Sequence, residues 1–235
     1  SNLPFAINAD TGAITVNDAD DLDFETTTSY DLTVQATDGT TADTEVITIT
    51  ITDVNDNPPV YSSSSTTKSI QEYDESSGSA VDTVTITDAD ASEMNTNACT
   101  LGGNDAGDFT CTVSASQYVL SFSSSPDFEN PVDSDQDNIY TVTVSISDGA
   151  NSGNTISYTI TITDYNDETP TYTSSDTTPE VVEGQSAVET VSITDPDALD
   201  TNGCILGGAD ADDFICTISA TQYVLAFASA PDFDS

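Results

Sequence analysis

Two short acidic motifs, each ending in proline, constrain the fold of this chain more than any other feature of its sequence. The first reads DVNDNPP over residues 53–59, and the second reads DYNDETP over residues 164–170. Each motif follows a segment in which apolar residues alternate with Thr or Ser, the pattern of a half-buried β-strand. Because proline cannot continue a paired strand, each motif marks the point where one folded unit stops and the next begins.

The same motifs concentrate oxygen ligands. Carboxylates, amides and backbone carbonyls stand together within residues 53–57 and again within residues 164–168. Like charge at this density is unfavourable unless a cation neutralises it. Hard oxygen ligands in this number suit calcium, which takes about six to eight oxygens in a flexible geometry. The motifs therefore predict a calcium site at each boundary.

An internal repeat sets the domain organisation. Cys99 recurs as Cys204 after 105 residues, and Asp53 recurs as Asp164 after 111 residues. A period of this length corresponds to a whole domain and not to a solenoid unit. We therefore predict three units: the C-terminal part of one repeat at 1–57, a complete repeat at 58–168, and the N-terminal part of a third repeat at 169–235.

The complete repeat has the pattern of an all-β domain. Its alternation of apolar and polar residues predicts seven short strands and almost no helix. The predicted strands lie near residues 67–71, 80–87, 99–101, 109–113, 118–122, 140–146 and 157–163. Seven short strands separated by turn residues are typical of a two-sheet Greek-key β-sandwich, and we expect such sandwiches to follow one another end to end.

The charge of the chain excludes several classes of partner. The net charge is −41, Lys68 is the single basic residue, and there is no His. Electrostatic repulsion therefore excludes nucleic acid as a partner, and it argues equally against anionic membrane surfaces. No run of about 18 apolar residues occurs, so the sequence predicts no membrane span. The regular strand pattern distinguishes the chain from an acidic disordered tail.

The four cysteines form two pairs with equal internal spacing. Cys99 and Cys111 are twelve residues apart, and so are Cys204 and Cys216. Neither pair has the CxxC spacing or the His that a zinc site would need. We predict a local disulfide within each pair and an oxidising, extracellular setting, whereas free thiols or a Cys99–Cys204 link would contradict this reading. The first unit has Ile7 at the corresponding position, which indicates that the bridge reinforces the fold and is not required for it.

Acidic residues also recur at corresponding positions of the units. One pair precedes each boundary, a second pair follows it, a lone Asp closes a strand, and a Glu stands near the start of a unit. Because residues i and i+2 of a strand face the same way, each pair can direct two carboxylates at one ion. The residues concerned are Asp23 and Glu25, Asp127 and Glu129, Asp232 and Asp234, Asp88 and Asp90, Asp195 and Asp197, Asp38 and Asp148, and Glu72 and Glu183.

At these positions the chain resembles the cadherin repeats. LDFE at 22–25, VQATD at 34–38 and DVNDNP at 53–58 are similar to the LDRE, VxAxD and DxNDNxP motifs of that family. DAD at 88–90 is similar to the DxD motif of the following repeat, so the resemblance covers essentially the whole chain. It implies a junction bridged by three calcium ions between successive repeats.

The resemblance also implies which residues bind these ions. At the first boundary they are Asp23, Glu25, Asp53, Val54, Asn55, Asp56, Asn57, Asp88, Asp90, Asn97 and Asp148, with Val54, Asn57 and Asn97 contributing backbone carbonyls. At the second boundary they are Glu72, Asp127, Glu129, Asp164, Tyr165, Asn166, Asp167, Glu168, Asp195, Asp197 and Asn202. The chain departs from the family pattern at Pro126 and Pro231, which replace the leading Leu of LDRE. It also departs at Glu168, which stands in the second motif where the first has Asn57. Glu75 is an alternative to Glu72 as the early ligand.

Two classes of function agree with these features. A calcium-stiffened filament or surface array is favoured by the close likeness of the second and third units, since receptors diversify their contact surfaces. A calcium-dependent adhesion or recognition ectodomain with a protein partner is the alternative. Without His, a GxSxG motif or a cofactor loop, the sequence does not predict an enzyme. Residues 5–25 align with residues 214–234, so joining two copies would duplicate strands, and we expect the chain to be a slice of a longer array.

Overall fold

A computed structural model describes residues 4–72, 80–90, 98–114, 116–172, 174, 176–197, 202–219 and 221–232. The chain divides into two compact units. The first is drawn from residues 1–66, 80–122 and 141–158, and the second from residues 67–79, 123–140 and 159–235. Two 3-10 turns, Ala106–Asp108 and Ala211–Asp213, are the helical elements among the described residues.

The remaining regular structure is β-sheet, as the sequence predicts. The strands are β1 Phe5–Ile7, β2 Ile14–Val16, β3 Ser29–Thr37, β4 Ala42–Thr50, β5 Val60–Tyr61, β6 Thr67–Gln71, β7 Ala80–Thr87, β8 Ala98–Gly102, β9 Phe109–Val113, β10 Gln117–Phe122, β11 Ile139–Ser147, β12 Ser152–Thr163, β13 Thr171–Tyr172, β14 Ala187–Thr194, β15 Phe214–Ser219 and β16 Gln222–Phe227. The all-β class is thereby confirmed. No helix within the described ranges is long and apolar enough to cross a membrane.

One antiparallel sheet lies wholly within the first unit and has the strand order β5-β7-β10-β9. Its register places Tyr118 of β10 opposite Val84 of β7. Residues that lie opposite each other on neighbouring strands face the same side of the sheet. Both side chains are buried, so this side is the core face. Thr83, Thr85 and Thr87 alternate with the core positions of β7 and are exposed on the outer face.

A second sheet has the order β6-β12-β11-β8, and its strands β11 and β12 each have residues in both units. Within the first unit, β8 runs antiparallel to β11, with Cys99 opposite Ile146. Within the second unit, β6 runs parallel to the end of β12, with Ile70 opposite Ile162. Ile146 and Ile162 are buried, because they lie on the core face of this sheet.

A third sheet, β13-β14-β16-β15, lies within the second unit and repeats the pattern of the first sheet. Val191 of β14 lies opposite Tyr223 of β16, as Val84 lies opposite Tyr118. The paired strands β1 and β2, and the paired strands β3 and β4, complete the first unit.

The structure extends two of the sequence predictions. Strand β5 has only two residues and follows Pro58 and Pro59, so it is too short to show alternation in the sequence. Strand β12 begins at Ser152, earlier than predicted, because Gly153 and Asn154 are turn residues by type but lie within the strand here.

The two predicted disulfides are present. Cys99 of β8 bonds to Cys111 of β9, and Cys204 bonds to Cys216, each with a Cα–Cα distance of 6.2 Å. Strands β8 and β9 belong to different sheets. The Cys99–Cys111 bridge therefore ties the two sheets together.

Gly153 stands where the backbone approaches Tyr61 too closely for any other residue. The Tyr61 hydroxyl accepts a hydrogen bond from the Ile146 backbone N–H at 2.9 Å and donates one to the backbone carbonyl of Asn154. A Cβ atom at position 153 would lie 2.4 Å from the Pro59 carbonyl oxygen and 2.6 Å from Cε1 of Tyr61. Both neighbours are held in place, since one is backbone and the other is a buried ring.

We expect Gly153→Ala to destabilise the first unit by about 1–3 kcal/mol, the range for overpacking a close contact. Urea unfolding followed by tyrosine fluorescence measures the change. Gly107→Ala is the matched control, because no atom lies within 4 Å of the Cβ position there. Equal unfolding midpoints for the two variants would contradict the packing described here.

We expect the double substitution of Cys99 and Cys111 by Ala to lower the free energy of unfolding by about 3 kcal/mol or less, because the closed loop is short. The variant should keep its β-sheet circular dichroism spectrum, since the first unit has Ile7 in place of a Cys. Urea unfolding of the variant and the parent chain provides the comparison. Loss of the β spectrum would show that the bridge is required for folding.

Candidate metal centre

Two acidic clusters lie within the first unit. Glu25, Asp53 and Asp90 form one, and Asp88, Asp90 and Asp148 form the other. In each cluster every residue offers one carboxylate oxygen, and these oxygens all lie within 4.8 Å of one another. Asp90 belongs to both clusters and is 0% exposed. The residues come from both sides of the predicted boundary at 57/58, as a bridging site requires.

Asn57 orients the shared carboxylate of Asp90. Its backbone N–H donates to Oδ2 of Asp90 at 2.8 Å, and its side-chain Nδ2 donates to Oδ1 at 3.0 Å. Burial alone would raise the pKa of the Asp90 carboxyl, but these hydrogen bonds outweigh it and lower the pKa below its usual value. Asp88, two residues earlier, differs, because burial raises the pKa of its carboxyl.

Asp148 is oriented by the turn that joins β11 to β12. Its Oδ1 accepts hydrogen bonds from the backbone N–H groups of Ala150 at 2.8 Å and Asn151 at 2.6 Å. Asp148 is 2% exposed, so the turn holds a buried carboxylate beside Asp88 and Asp90.

Two further clusters lie within the second unit. Glu72, Glu129 and Asp167 form one, and Glu129, Asp164 and Asp197 form the other. Glu129 is the shared residue here, as Asp90 is in the first unit. Asp197 is held as Asp90 is, because its Oδ2 accepts the backbone N–H of Glu168 at 3.0 Å.

Glu72 joins three segments of the second unit. Its Oε2 accepts the backbone N–H of Phe128, and its Oε1 accepts the backbone N–H of Tyr165 at 2.9 Å. The side chain is only 3% exposed. The alternative ligand Glu75 lies outside the described residues.

The electrostatics of these clusters fit a cation. Burial raises the pKa of Glu129 to about 7, and the negative charges of Glu72, Asp164 and Asp197 raise it as well. Asp88 Oδ2, Glu129 Oε1 and Asp195 Oδ2 are buried oxygens with no hydrogen-bond partner in the described part of the chain. Buried polar atoms are normally satisfied, so these oxygens are suited to an ion that accepts oxygen ligands. An all-oxygen donor set of carboxylates suits calcium better than zinc.

Several of the predicted ligands do not join a cluster of acidic side chains in the described ranges. Asp23 instead accepts hydrogen bonds from Thr26, which lower its pKa, and Asp127 accepts hydrogen bonds from Asn130. Asp56 and Asp195 are likewise outside these clusters. Asn97 and Asp234 lie outside the described residues. Seven other predicted ligands are among the described residues and lie outside these acidic clusters: Val54, Asn55, Asn57, Tyr165, Asn166, Glu168 and Asn202. Binding through their carbonyl or amide oxygens stays a prediction.

One acidic cluster was not predicted from the sequence. Asp133, Asp135 and Asp137 bring carboxylate oxygens within 4.8 Å in the loop before β11. Asp133 is buried and accepts the backbone N–H groups of Asp137 and Asn138, so the loop wraps around its carboxylate. The signal is the D-x-D-x-D spacing, which has no counterpart in the first repeat and is therefore not a recurring position.

Comparisons with known proteins agree with this architecture. No protein-family model matches the chain. The chain is 30% identical over 202 residues to human protocadherin Fat 1, which covers 82% of this chain and 4% of that protein. It is 34% identical over 202 residues to mouse cadherin EGF LAG seven-pass G-type receptor 2, which covers 83% of this chain and 6% of that protein. The crystal structure of the protocadherin gammaB4 extracellular domain superposes with a TM-score of 0.57 at 27% identity, over 97% of this chain and 36% of that one.

The all-β fold and the two disulfides, together with these similarities, define a class of extracellular repeat proteins. The chain belongs to the cadherin-repeat family. It is extracellular, in agreement with its two disulfides. Cadherin repeats generally bind calcium. The chain spans only about one twentieth of the length of these curated relatives, which it covers by 4% and 6%.

Glu72→Gln tests which early glutamate serves the second boundary. Both Glu72 oxygens accept backbone N–H groups, and an amide would place a second donor against one of them. We expect a stability loss of about 1–3 kcal/mol in chelator, together with weaker calcium binding. Glu75→Gln is the matched control and should change neither quantity. The reverse result would assign the role to Glu75.

Proposed function

We propose that this chain is a calcium-binding segment of tandem cadherin repeats in an extracellular adhesion ectodomain. The repeats lie at 1–57, 58–168 and 169–235, of which the first and third are partial. The observation that carries the proposal is that each boundary has one carboxylate, the buried Asp90 or the half-buried Glu129, that belongs to two acidic clusters at once. A carboxylate shared in this way can bridge two neighbouring ions.

The composition of the chain supports a cation as the partner of these carboxylates. Buried charges are stable only when they are paired or bound to a metal. The chain has 42 acidic residues and one basic residue, so salt bridges cannot serve both boundaries. The residues that would hold calcium at the first boundary are Asp23, Glu25, Asp53, Val54, Asn55, Asp56, Asn57, Asp88, Asp90, Asn97 and Asp148. Those at the second boundary are Glu72, Asp127, Glu129, Asp164, Tyr165, Asn166, Asp167, Glu168, Asp195, Asp197 and Asn202.

Calcium would act as a structural element. Three divalent ions at each of two boundaries would offset about twelve negative charges, a substantial part of the net −41. The ligands of one boundary come from segments on both sides of it, so bound ions would restrict the angle between successive repeats. The buried hydrophobic side chains lie mostly in the complete repeat, so we expect its β-sandwich to stay folded without an ion.

The names of the relatives favour an adhesion or recognition ectodomain over a filament. One of them is a seven-pass receptor, and the others are protocadherins. A filament or surface array remains a second candidate, because segments recur unchanged in the second and third repeats. LGG at 101–103 recurs at 206–208, and QYVL at 117–120 recurs at 222–225. Beads coated with the chain distinguish the two. Adhesion predicts that beads aggregate in calcium and disperse in chelator, whereas a passive array predicts no aggregation in either.

Calcium removal should loosen the chain without unfolding it. We expect small-angle X-ray scattering to show a changed maximum dimension in chelator, while the circular dichroism spectrum keeps its β signature. The cause is the loss of the ions that restrict the boundaries and neutralise their charge. An unchanged maximum dimension would contradict the proposal.

Asp90→Asn provides the matched variant for this experiment, because Asp90 belongs to both clusters of the first boundary. It should reduce the number of calcium ions bound in isothermal titration. Asp10→Asn, in the exposed turn between β1 and β2, is the control and should bind as many ions as the parent chain.

A further inference from the structure

Asn151 connects two segments that the sequence separates by 96 residues. Its side-chain Nδ2 donates to Oδ1 of Asn55 at 2.8 Å and to the backbone carbonyl of Asn55 at 3.3 Å. Both residues are half-buried and lie within the first unit. Asn55 is the first of the two amides of the DVNDNPP motif, so the Asn151 side chain contacts the predicted boundary directly.

The backbone of Asn151 serves the buried carboxylate of Asp148. Its N–H donates to Oδ1 of Asp148 at 2.6 Å, and its carbonyl accepts the Asp148 N–H at 3.2 Å. Asp148 lies in a cluster with Asp88 and Asp90. A single residue thus holds a carboxylate of one cluster with its backbone and an amide of the boundary motif with its side chain.

The turn itself does not need an asparagine. Residues 38–41 build the same turn in the first repeat, with Thr41 in the place of Asn151. The Thr41 N–H donates to Oδ1 of Asp38 at 2.8 Å, and the Thr41 carbonyl accepts the Asp38 N–H at 3.2 Å. Thr37 Oγ1 donates to the Thr41 carbonyl as Ser147 Oγ does to that of Asn151. The Asn151 amide is therefore additional to the requirements of the turn.

We propose that Asn151 is a positioning residue for calcium at the first boundary. Its Nδ2 is only a donor, so the Asn55 side chain must present its oxygen to Asn151, and this fixes the rotation of the Asn55 amide. The same oxygen keeps a second lone pair for a cation. The inference rests on the proposed function, and it adds a residue that is not among the expected ligands.

The physical effect is preorganisation. With Asn55 and Asp148 held by one residue, an ion that contacts this boundary does not have to order them separately. Residues that orient metal ligands typically change metal affinity by about 10- to 100-fold when they are replaced. The effect should appear in calcium affinity and not in the stability of the calcium-free chain, because Thr41 shows that the turn forms without the amide.

Asn151→Thr tests the inference in the full chain. Calcium titration should show one class of sites weakened about 10-fold, while the urea midpoint in chelator equals that of the parent. In an Asn55→Ala background the same substitution should add little, because the two residues act through one contact. Asn104→Thr, in an exposed loop, is the control for replacing an Asn by Thr.

Three other results of these measurements would contradict either the positioning role of Asn151 or the proposed function. If the parent binds calcium and Asn151→Thr binds it equally well, the positioning role is wrong and the proposed function stands. If the midpoint in chelator falls together with the affinity, Asn151 supports the fold and the positioning role is again wrong. If the parent chain binds no calcium, the proposed function fails, and the inference fails with it.

Discussion

Repulsion between carboxylates is the interaction on which the rest of this molecule depends. With 42 acidic residues and a single Lys, the chain cannot balance its charge by internal ion pairs. Folding nevertheless brings carboxylate oxygens within 4.8 Å of one another at both boundaries. Part of the cost is offset locally by backbone N–H donors, since hydrogen bonds to the ionised form stabilise it. Glu72, Asp90 and Asp148 each receive two hydrogen bonds of this kind or from a neighbouring amide.

The same solution is used twice. At each boundary the residue after the DxND core donates its backbone N–H to the second Asp of the following DxD motif, from Asn57 to Asp90 and from Glu168 to Asp197. A backbone donor does not depend on the side chain. This explains why Glu can replace Asn at position 168 without loss of the contact, although the additional bond that the Asn57 amide gives to Asp90 has no equivalent there.

Much of the fold was predictable from the sequence, because alternation reports directly which face of a strand is buried. Strands β6, β7 and β9 have the predicted limits, whereas β5 is too short to alternate. The candidate site was less predictable. The spacing of Asp23 and Glu25 suggests that both face one ion, which stays a prediction, and it does not indicate that Asp23 accepts hydrogen bonds from Thr26 in its own turn. Strand periodicity reveals neither such local turn chemistry nor a contact between distant residues such as that of Asn151 with Asn55.

The outer faces of two strands affect how the chain responds to ionic strength. The outward residues of β7 are Thr83, Thr85 and Thr87, and their counterparts in β14 are Thr190, Ser192 and Thr194. None of these carries a charge, so hydroxyl groups hydrate these two strand faces, whereas the acidic clusters concentrate carboxylates. Within each unit the charge is therefore uneven, with uncharged strand faces as well as acidic clusters. Salt therefore screens the repulsion within the acidic clusters and has little charge to screen on these Thr and Ser faces.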